Sequence, residues 1–332
     1  MYREFYGLRE RPFELTANQR FLFLTSKQRE ALSNLQYGLM SVKSLTLLVG
    51  DAGTGKTTLI QAALASERCR NVRCVYLNNP MLSQADFVNL LAQRFDLGAE
   101  AASSKAVLLD RLEASLRKRR EAGETTALVV DEAQSLSTEL LEEVRLLANI
   151  ETPTEKLLPL VLAGQPELSD RLEHPDLRQL KQRVALRCDL LPFELGDTAA
   201  YIASRIRTAG GVPSEMFSLE AVTLVHQLSR GIPRTINVIC DNALVGGMAL
   251  GRRRVDQTLV AEVCRDLHLS GATVERSDAS EASGRPPAAD ADPVQTPDAN
   301  SGAVESAEAP PDRFRFGFRW RSATSTARII TE

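Results

Sequence analysis

The sequence predicts an α/β fold. A parallel five-stranded sheet sandwiched by helices fills residues 1–192, a small all-helical lid follows over 193–268, and a disordered tail occupies 269–332. Three observations predict it. Short apolar runs at 44–49, 72–78, 127–130, 157–163 and 184–190 alternate with stretches of helical spacing, the pattern of strands joined by helical crossovers. The first run leads directly into Gly50-Asp-Ala-Gly-Thr-Gly-Lys-Thr57 and then a helix-like segment, 58–65. After residue 193 only helical patterns remain, and beyond 270 large apolar residues almost vanish.

Composition bounds the function. At 332 residues and 43% apolar content the chain can bury a substantial core, and a net charge of −3 leaves no overall electrostatic footprint for nucleic acid. The cysteines, Cys69, Cys74, Cys188, Cys240 and Cys264, are scattered without any C-x-x-C, which reads as reduced, packed thiols. His174, His226 and His268 offer them no evident metal-binding partners. The first residues, Met-Tyr-Arg-Glu-Phe-Tyr-Gly, lack a hydrophobic signal core, and the longest apolar stretches, 157–164 and 243–250, fall short of the ~20 residues of a membrane span. A soluble, cytosolic chain is expected.

Residues 1–24 are dense in aromatics (Tyr2, Phe5, Tyr6, Phe13, Phe21, Phe23) and read as an irregular segment laid against the core, or as a cover over a nucleotide base. From Ser26 to Ser41 the apolar positions Ala31, Leu32, Leu35 and Leu39 keep helical spacing, with Ser26 placed as the cap. The strand 44–49 then meets the glycine loop, G-x-x-x-x-G-K-[ST] in a strand-to-helix context. Gly50, Gly53 and Gly55 let backbone N–H groups close around a polyphosphate, and the helix N-terminus adds positive charge. Lys56 reaches the β- and γ-phosphates and Thr57 completes a Mg²⁺ site, while Thr58 packs. The candidate nucleotide-binding set is Gly50, Asp51, Ala52, Gly53, Thr54, Gly55, Lys56, Thr57 and Thr58.

A strand at 72–78 and helices at 83–95 and 105–120 follow, the second closing on Arg117-Lys118-Arg119-Arg120 as cations at a helix C-terminus. Ala127-Leu-Val-Val130 is a buried central strand that ends in Asp131-Glu132, where open parallel sheets bind ligands. Asp131 is placed to hold Mg²⁺ and Glu132 to take a proton from attacking water. After a helix at 138–147 and the strand 157–163, Gln165 stands to orient that water or contact the γ-phosphate, or else as a turn residue before Pro166. Residues 176–183 read as a basic helix preceding the strand 184–190. Arg178 and Arg183 lie on it, as a solvated face or with a task at phosphate.

Four short helices make the lid: Asp197 caps one ended by Gly210-Gly211, Ser218 one ended by Gly231, Pro233 opens the third and Asp256 caps the last. Arg234, at a proline-started helix N-terminus, is suited to reach a phosphate or else sits on the surface. Residues 270–312 carry nine acidic and two basic side chains and cannot bury enough surface to fold. Arg313-Phe-Arg-Phe-Gly-Phe-Arg-Trp-Arg321 then alternates arginine with aromatics, a segment able to pair as an edge strand, enter an anionic membrane surface or stack on single-stranded nucleic acid.

These residues resemble those of AAA+ ATPases, and over roughly 1–268 the chain is similar to the ExeA/GspA type of bacterial secretion and pilus systems. The stretches that carry the likeness are Met1-Tyr2, Phe5-Tyr6-Gly7-Leu8, Pro12-Phe13, Gly53-x-Gly-Lys-Thr-Thr58, Val130-Asp-Glu-Ala-Gln134, Gly164-Gln-Pro-Glu-Leu168, Leu177-Arg-Gln-Leu180 and Gly231-Ile-Pro-Arg234. The resemblance implies ATP and Mg²⁺ as ligands, Gln165 at the sensor-1 position and Arg234 at sensor 2. It also implies Arg183, or else Arg178, as the finger that reaches a neighbouring subunit's γ-phosphate, hence a homo-oligomer. By the same likeness the partner belongs to envelope machinery for secretion, pilus or exopolysaccharide assembly, and the protein is cytoplasmic or peripheral at the inner membrane. The alternative is a DNA-associated ATPase resembling TniB-type transposition regulators or initiators, which the acidic balance disfavours. Two departures are visible. Ala17-Asn-Gln-Arg20 stands where the family has Pro-Asp-Pro-Arg, and Gln28 where it often has His.

The contrast between an acidic linker and a basic aromatic end implies a tethered docking element, which raises local concentration at a target without touching the catalytic core. Deleting residues 270–332 should therefore leave basal nucleotide hydrolysis unchanged and abolish co-localisation with the partner or membrane. Loss of folding or of hydrolysis on deletion would defeat the docking reading.

Overall fold

The computed structural model describes residues 1–16, 18–78 and 82–269; the expectations for the acidic linker and for 313–321 lie outside the described residues. In chain order the α-helices and strands are α1 (Tyr2–Phe5), α2 (Ser26–Met40), β1 (Leu45–Gly50), α3 (Lys56–Leu64), β2 (Val72–Leu77), α4 (Gln84–Arg94), α5 (Lys105–Glu121), β3 (Thr125–Val130), α6 (Thr138–Leu147), β4 (Leu160–Gly164), α7 (Pro166–Leu172), α8 (Arg178–Lys181) and β5 (Val184–Leu190). The helices α9 (Leu195–Thr208), α10 (Pro213–Met216), α11 (Leu219–Ser229), α12 (Pro233–Ala249) and α13 (Gln257–Asp266) complete it.

The five strands form one sheet in the order β2-β3-β4-β1-β5, and every neighbouring pair is parallel. Each residue of β1, β3 and β4 is buried, which accounts for their unbroken apolar runs. Because side chains alternate across a strand, each run feeds two layers. Leu45, Leu47, Val49, Leu128, Val130, Leu160 and Leu162 join the apolar layer beneath α4 to α7. Leu48, Ala127, Val129, Val161 and Ala163 join the other, beneath α2 and α3. The expected sandwich is thus built by period-two alternation within strands that look uniformly apolar.

Several boundaries differ from the sequence reading, each for a local reason. Strand β4 begins at Leu160, after Pro159, although Leu157 and Leu158 are also buried. Proline has no N–H to offer a ladder. The cap of α2 is Thr25, not Ser26: the Thr25 side chain accepts from Gln28 N–H while the Gln28 side chain accepts from Thr25 N–H, each at 3.2 Å. Gln28 is therefore half of a capping box. The basic helix shortens to α8, preceded by a 3-10 turn at Pro175–Leu177. Glu194, not Asp197, sits at the cap of α9, and Asp197 falls in its first turn. Ser218 and Asp256 do cap α11 and α13, accepting from Ala221 and Leu259 N–H. The lid also holds the one-turn α10, and α12 is 17 residues long.

The aromatic N-terminal segment lies against the lid helices and not against the sheet. Tyr2, Leu8, Phe13 and Phe21 share one buried cluster with Phe193, Tyr201, Ile206, Ile236, Ile239 and Leu244. Phe23 stacks edge-on to Phe193 and Tyr201, and the buried Arg205 donates to Pro12 O and lies over the Phe21 ring. Aromatics bury large area per residue, so a segment with little regular structure is held by them. The five cysteines are unpaired, and burial raises the thiol pKa of Cys74 to about 12 and of Cys188 to about 11.

Gly231 closes the lid onto the end of the sheet. Its φ is +72°, its carbonyl accepts from Phe193 N–H at 2.8 Å, and a Cβ there would lie 2.1 Å from Phe193 O. Gly231→Ala should lower stability by at least about 3 kcal/mol. Gly123→Ala, with φ +80° and open space around the new methyl, should lose only about 1 kcal/mol. Equal midpoints for the two variants in urea unfolding would contradict this assignment.

Candidate functional site

The C-terminal ends of β1, β3 and β4 are adjacent in the sheet order, and the candidate groups emerge from them. At β1 the chain turns through Gly53 (φ +86°) and Gly55 (φ +100°) into α3, conformations that side-chain-bearing residues rarely take. Gly50 is required for its missing side chain: a Cβ there would stand 2.7 Å from both Leu190 O and Thr54 Oγ1. Asp51 O accepts from Thr54 N–H and Oγ1–H, which pins the loop. Ala52 is exposed at its crest. Gly55 is the cap residue of α3 and offers no side chain, so the first N–H groups of that helix, from Lys56 to Thr58, have no capping partner. They face the loop with the positive end of the helix dipole.

Lys56 is buried and donates its Nζ to Gly50 O at 2.7 Å and Asp51 O at 3.2 Å. Burial lowers its pKa, and the carboxylates of Glu132, Asp131, Asp51 and Glu167 oppose that shift. Thr57 donates its hydroxyl to Asp131 Oδ2 at 2.7 Å, joining the loop to the end of β3. The buried Asp131 also accepts Glu132 N–H on Oδ1 at 3.0 Å and the Tyr76 hydroxyl on Oδ2. Burial and the Asp131 carboxylate both raise the Tyr76 pKa. Two hydroxyls and an amide thus hold one carboxylate in a fixed orientation.

Glu132 has φ +53°, a left-handed conformation for a residue with a Cβ. Its Oε2 accepts from Gln134 Nε2 at 2.6 Å and from Gln165 Nε2 at 3.5 Å. Gln165 is the cap residue of α7, directly before Pro166, and its side chain also reaches Glu132. Arg234 comes from the lid: its N–H donates to Gly53 O at 3.2 Å, and a Cβ on Gly53 would lie 2.7 Å from Arg234 Cβ.

Arg183 and Arg178 are not brought to this cluster. Val184 pairs with Leu45 at the start of the parallel β1–β5 ladder, so Arg183 stands at the end of the sheet opposite the glycine loop. It is half-buried, with Glu151 near enough to feel its charge, and Arg178 is exposed on α8. Sequence reasoning missed Tyr76, Gln134 and Arg171, which donates to Gln134 O and Leu136 O at 2.7 and 2.6 Å. Only Gln134 carried a signal, as the last residue of the Val130–Gln134 motif.

Comparison with known proteins bears on the family and the fold. Residues 39–172 match the AAA domain family. General secretion pathway protein A of Aeromonas hydrophila is 39% identical over 255 residues, which cover 77% of this chain and 46% of that protein. The chain thus spans about half the length of the curated relative it matches. Among solved structures, Cdc6p of Pyrobaculum aerophilum superposes with a TM-score of 0.61 at 17% identity, over 79% of this chain and 72% of that one. Aeropyrum pernix ORC2, in ADPNP-ADP complexes, gives 0.57 at 17% identity, over 77% and 71%. At such identities these two structures support the fold alone.

Proposed function

The chain carries an AAA domain of the kind found in general secretion pathway protein A, and from that premise we propose that it binds and hydrolyses ATP as a homo-oligomer serving cell-envelope machinery. The observation that carries the proposal is the 2.7 Å contact between Thr57 Oγ1 and Asp131 Oδ2, with Lys56 and Glu132 beside it. A hydroxyl and a carboxylate oxygen meeting at this distance are hard donors, the set that Mg²⁺ prefers when substrate phosphates complete its shell. Thr57 and Asp131 would hold such an ion, and it would supply neutralisation of phosphate charge.

The residues then divide the work. Gly50 to Thr58 cradle the phosphates with backbone N–H groups, and Lys56 exchanges its two loop carbonyls for phosphate oxygens. Glu132 takes the proton of the attacking water, and Gln165, within reach of the same carboxylate, helps to orient that water. Arg234 enters from the lid beside Gly53 and contacts phosphate. Arg183 cannot serve its own subunit's loop from the opposite end of the sheet, which supports a task in a neighbour's site. Among the described residues no helix is long and apolar enough to cross a membrane. Action in the cytoplasm or at the inner-membrane surface, on a protein partner, is inferred from the secretion relative.

Lys56→Ala should weaken nucleotide binding, while Glu132→Gln should retain binding and lose most turnover, since general base catalysis contributes ~10²–10⁴-fold. Equilibrium binding of a fluorescent ATP analogue, alongside phosphate release, separates the two effects. Wild-type turnover by Glu132→Gln would refute the base assignment.

Arg183→Ala and Glu132→Gln subunits, each nearly inactive alone, should partly restore hydrolysis when mixed, because a trans arginine is worth ~10³-fold or more in P-loop enzymes. Absence of rescue in mixtures that still co-assemble would count against Arg183, and the same mixing with Arg178→Ala tests the alternative.

A further inference from the structure

Gln134 ends the Val130–Gln134 motif without a task in the mechanism above, yet its amide joins two residues that have one. Its Nε2 donates to Glu132 Oε2 at 2.6 Å and its Oε1 accepts from Gln165 N–H at 3.1 Å. The amide cannot be turned over. Its oxygen must face the N–H of Gln165, and a flipped group would set oxygen against carboxylate and NH₂ against N–H. The fit around it is close. A Cβ on Gly164 would lie 2.9 Å from Gln134 Oε1, so the glycine that ends β4 leaves room for this amide.

The backbone beneath it is equally constrained. Gln134 lies in a 3-10 turn at Ala133–Ser135, closed by Ser135 N–H on Glu132 O at 2.9 Å. Arg171 of α7 donates one Nη1 to both Gln134 O and Leu136 O. Helix α7 also begins directly after Gln165. The turn that follows β3 and the helix that follows β4 are therefore tied at two levels, by Arg171 to backbone carbonyls and by Gln165 N–H to the Gln134 amide oxygen.

We propose that Gln134 is a positioning residue for Glu132: its amide fixes the direction of the carboxylate and passes to it any displacement of the β4–α7 junction at Gln165. The proposal rests on the reading of Glu132 as general base. Gln134 itself touches neither nucleotide nor attacking water in this scheme. It sets where the base points, and the bond to Gln165 makes that direction depend on what Gln165 contacts.

The test is steady-state ATP hydrolysis by Gln134→Leu, Gln134→Glu, Glu132→Gln and the Glu132→Gln/Gln134→Leu double variant, with thermal unfolding and binding of a fluorescent ATP analogue measured on each. Misplacing a catalytic group by about 1 Å can cost ~10²-fold, so Gln134→Leu should lower kcat about 10- to 100-fold. KM and analogue affinity should stay within about threefold, because ground-state binding is untouched. Gln134→Glu keeps the shape and the acceptor for Gln165 N–H but faces Glu132 with a like charge, so it should lose as much activity; should Gln134→Leu fail to fold, this variant decides.

In the Glu132→Gln background, Gln134→Leu should cause no further loss, since a residue that acts only through Glu132 has nothing left to position. Near-wild-type kcat in both Gln134 variants, with Glu132→Gln inactive, would overturn the positioning role alone. So would an undiminished further loss in the double variant. Wild-type turnover by Glu132→Gln would overturn the base reading and this proposal with it.

Discussion

The hydrogen bond from Thr57 to Asp131 joins the two halves of the candidate site, and it exists because of the strand order. β1 and β3 are separated by β4 alone, so their ends lie about 10 Å apart at the usual spacing of ~4.8 Å per strand. Thr57 enters from the first turn of α3 and Asp131 from the end of β3, and the two meet above the end of β4. Gln165 emerges at that intervening strand. An order that parted β1, β3 and β4 would scatter these groups. All-parallel pairing has a second consequence, since it sends every strand end with a proposed catalytic group to one edge and leaves Arg183 at the other.

How much of this was legible in the sequence follows from how local each feature is. The glycine loop is contiguous, and its strand and helix could be read from the same dozen residues. The Asp131-Glu132 pair could be placed because a buried apolar strand has only one end from which charges can leave. Caps set by a side chain and a backbone N–H three residues away were found at Ser218 and Asp256. The cap of α2 was misplaced by one residue because Thr25 and Ser26 are equally suited, and only the reciprocal bond with Gln28 decides between them.

The rest is long-range. Tyr76 reaches Asp131 only because β2 pairs with β3 in the register that sets Leu77 opposite Val130, a fact of the ladder and not of either segment. Arg171 reads as one more basic residue on a short helix until α7 is seen against the turn after β3. The destination of the N-terminal aromatics was equally hidden. Aromatic density announces burial, but nothing in residues 1–24 says whether the partner surface is the sheet or the lid.

That destination changes how the lid must be understood. The N-terminal segment packs into the lid cluster, and Leu24 and Thr25 then lead into α2, which packs on the sheet through Ala31, Leu35 and Leu39. The chain therefore joins lid and sheet twice, once through this segment and once where β5 runs past Phe193 into α9. A third tie involves no covalent link: Arg234 N–H on Gly53 O, with the two residues too close for any side chain on Gly53. Gly231 and Phe193 sit at the root of the same helix. A lid held at three places cannot swing freely, and one of those places is the phosphate loop itself. Arg234, the residue the proposed function brings to phosphate, lies in the first turn of α12, so the lid meets the loop at the same residue that would meet the nucleotide.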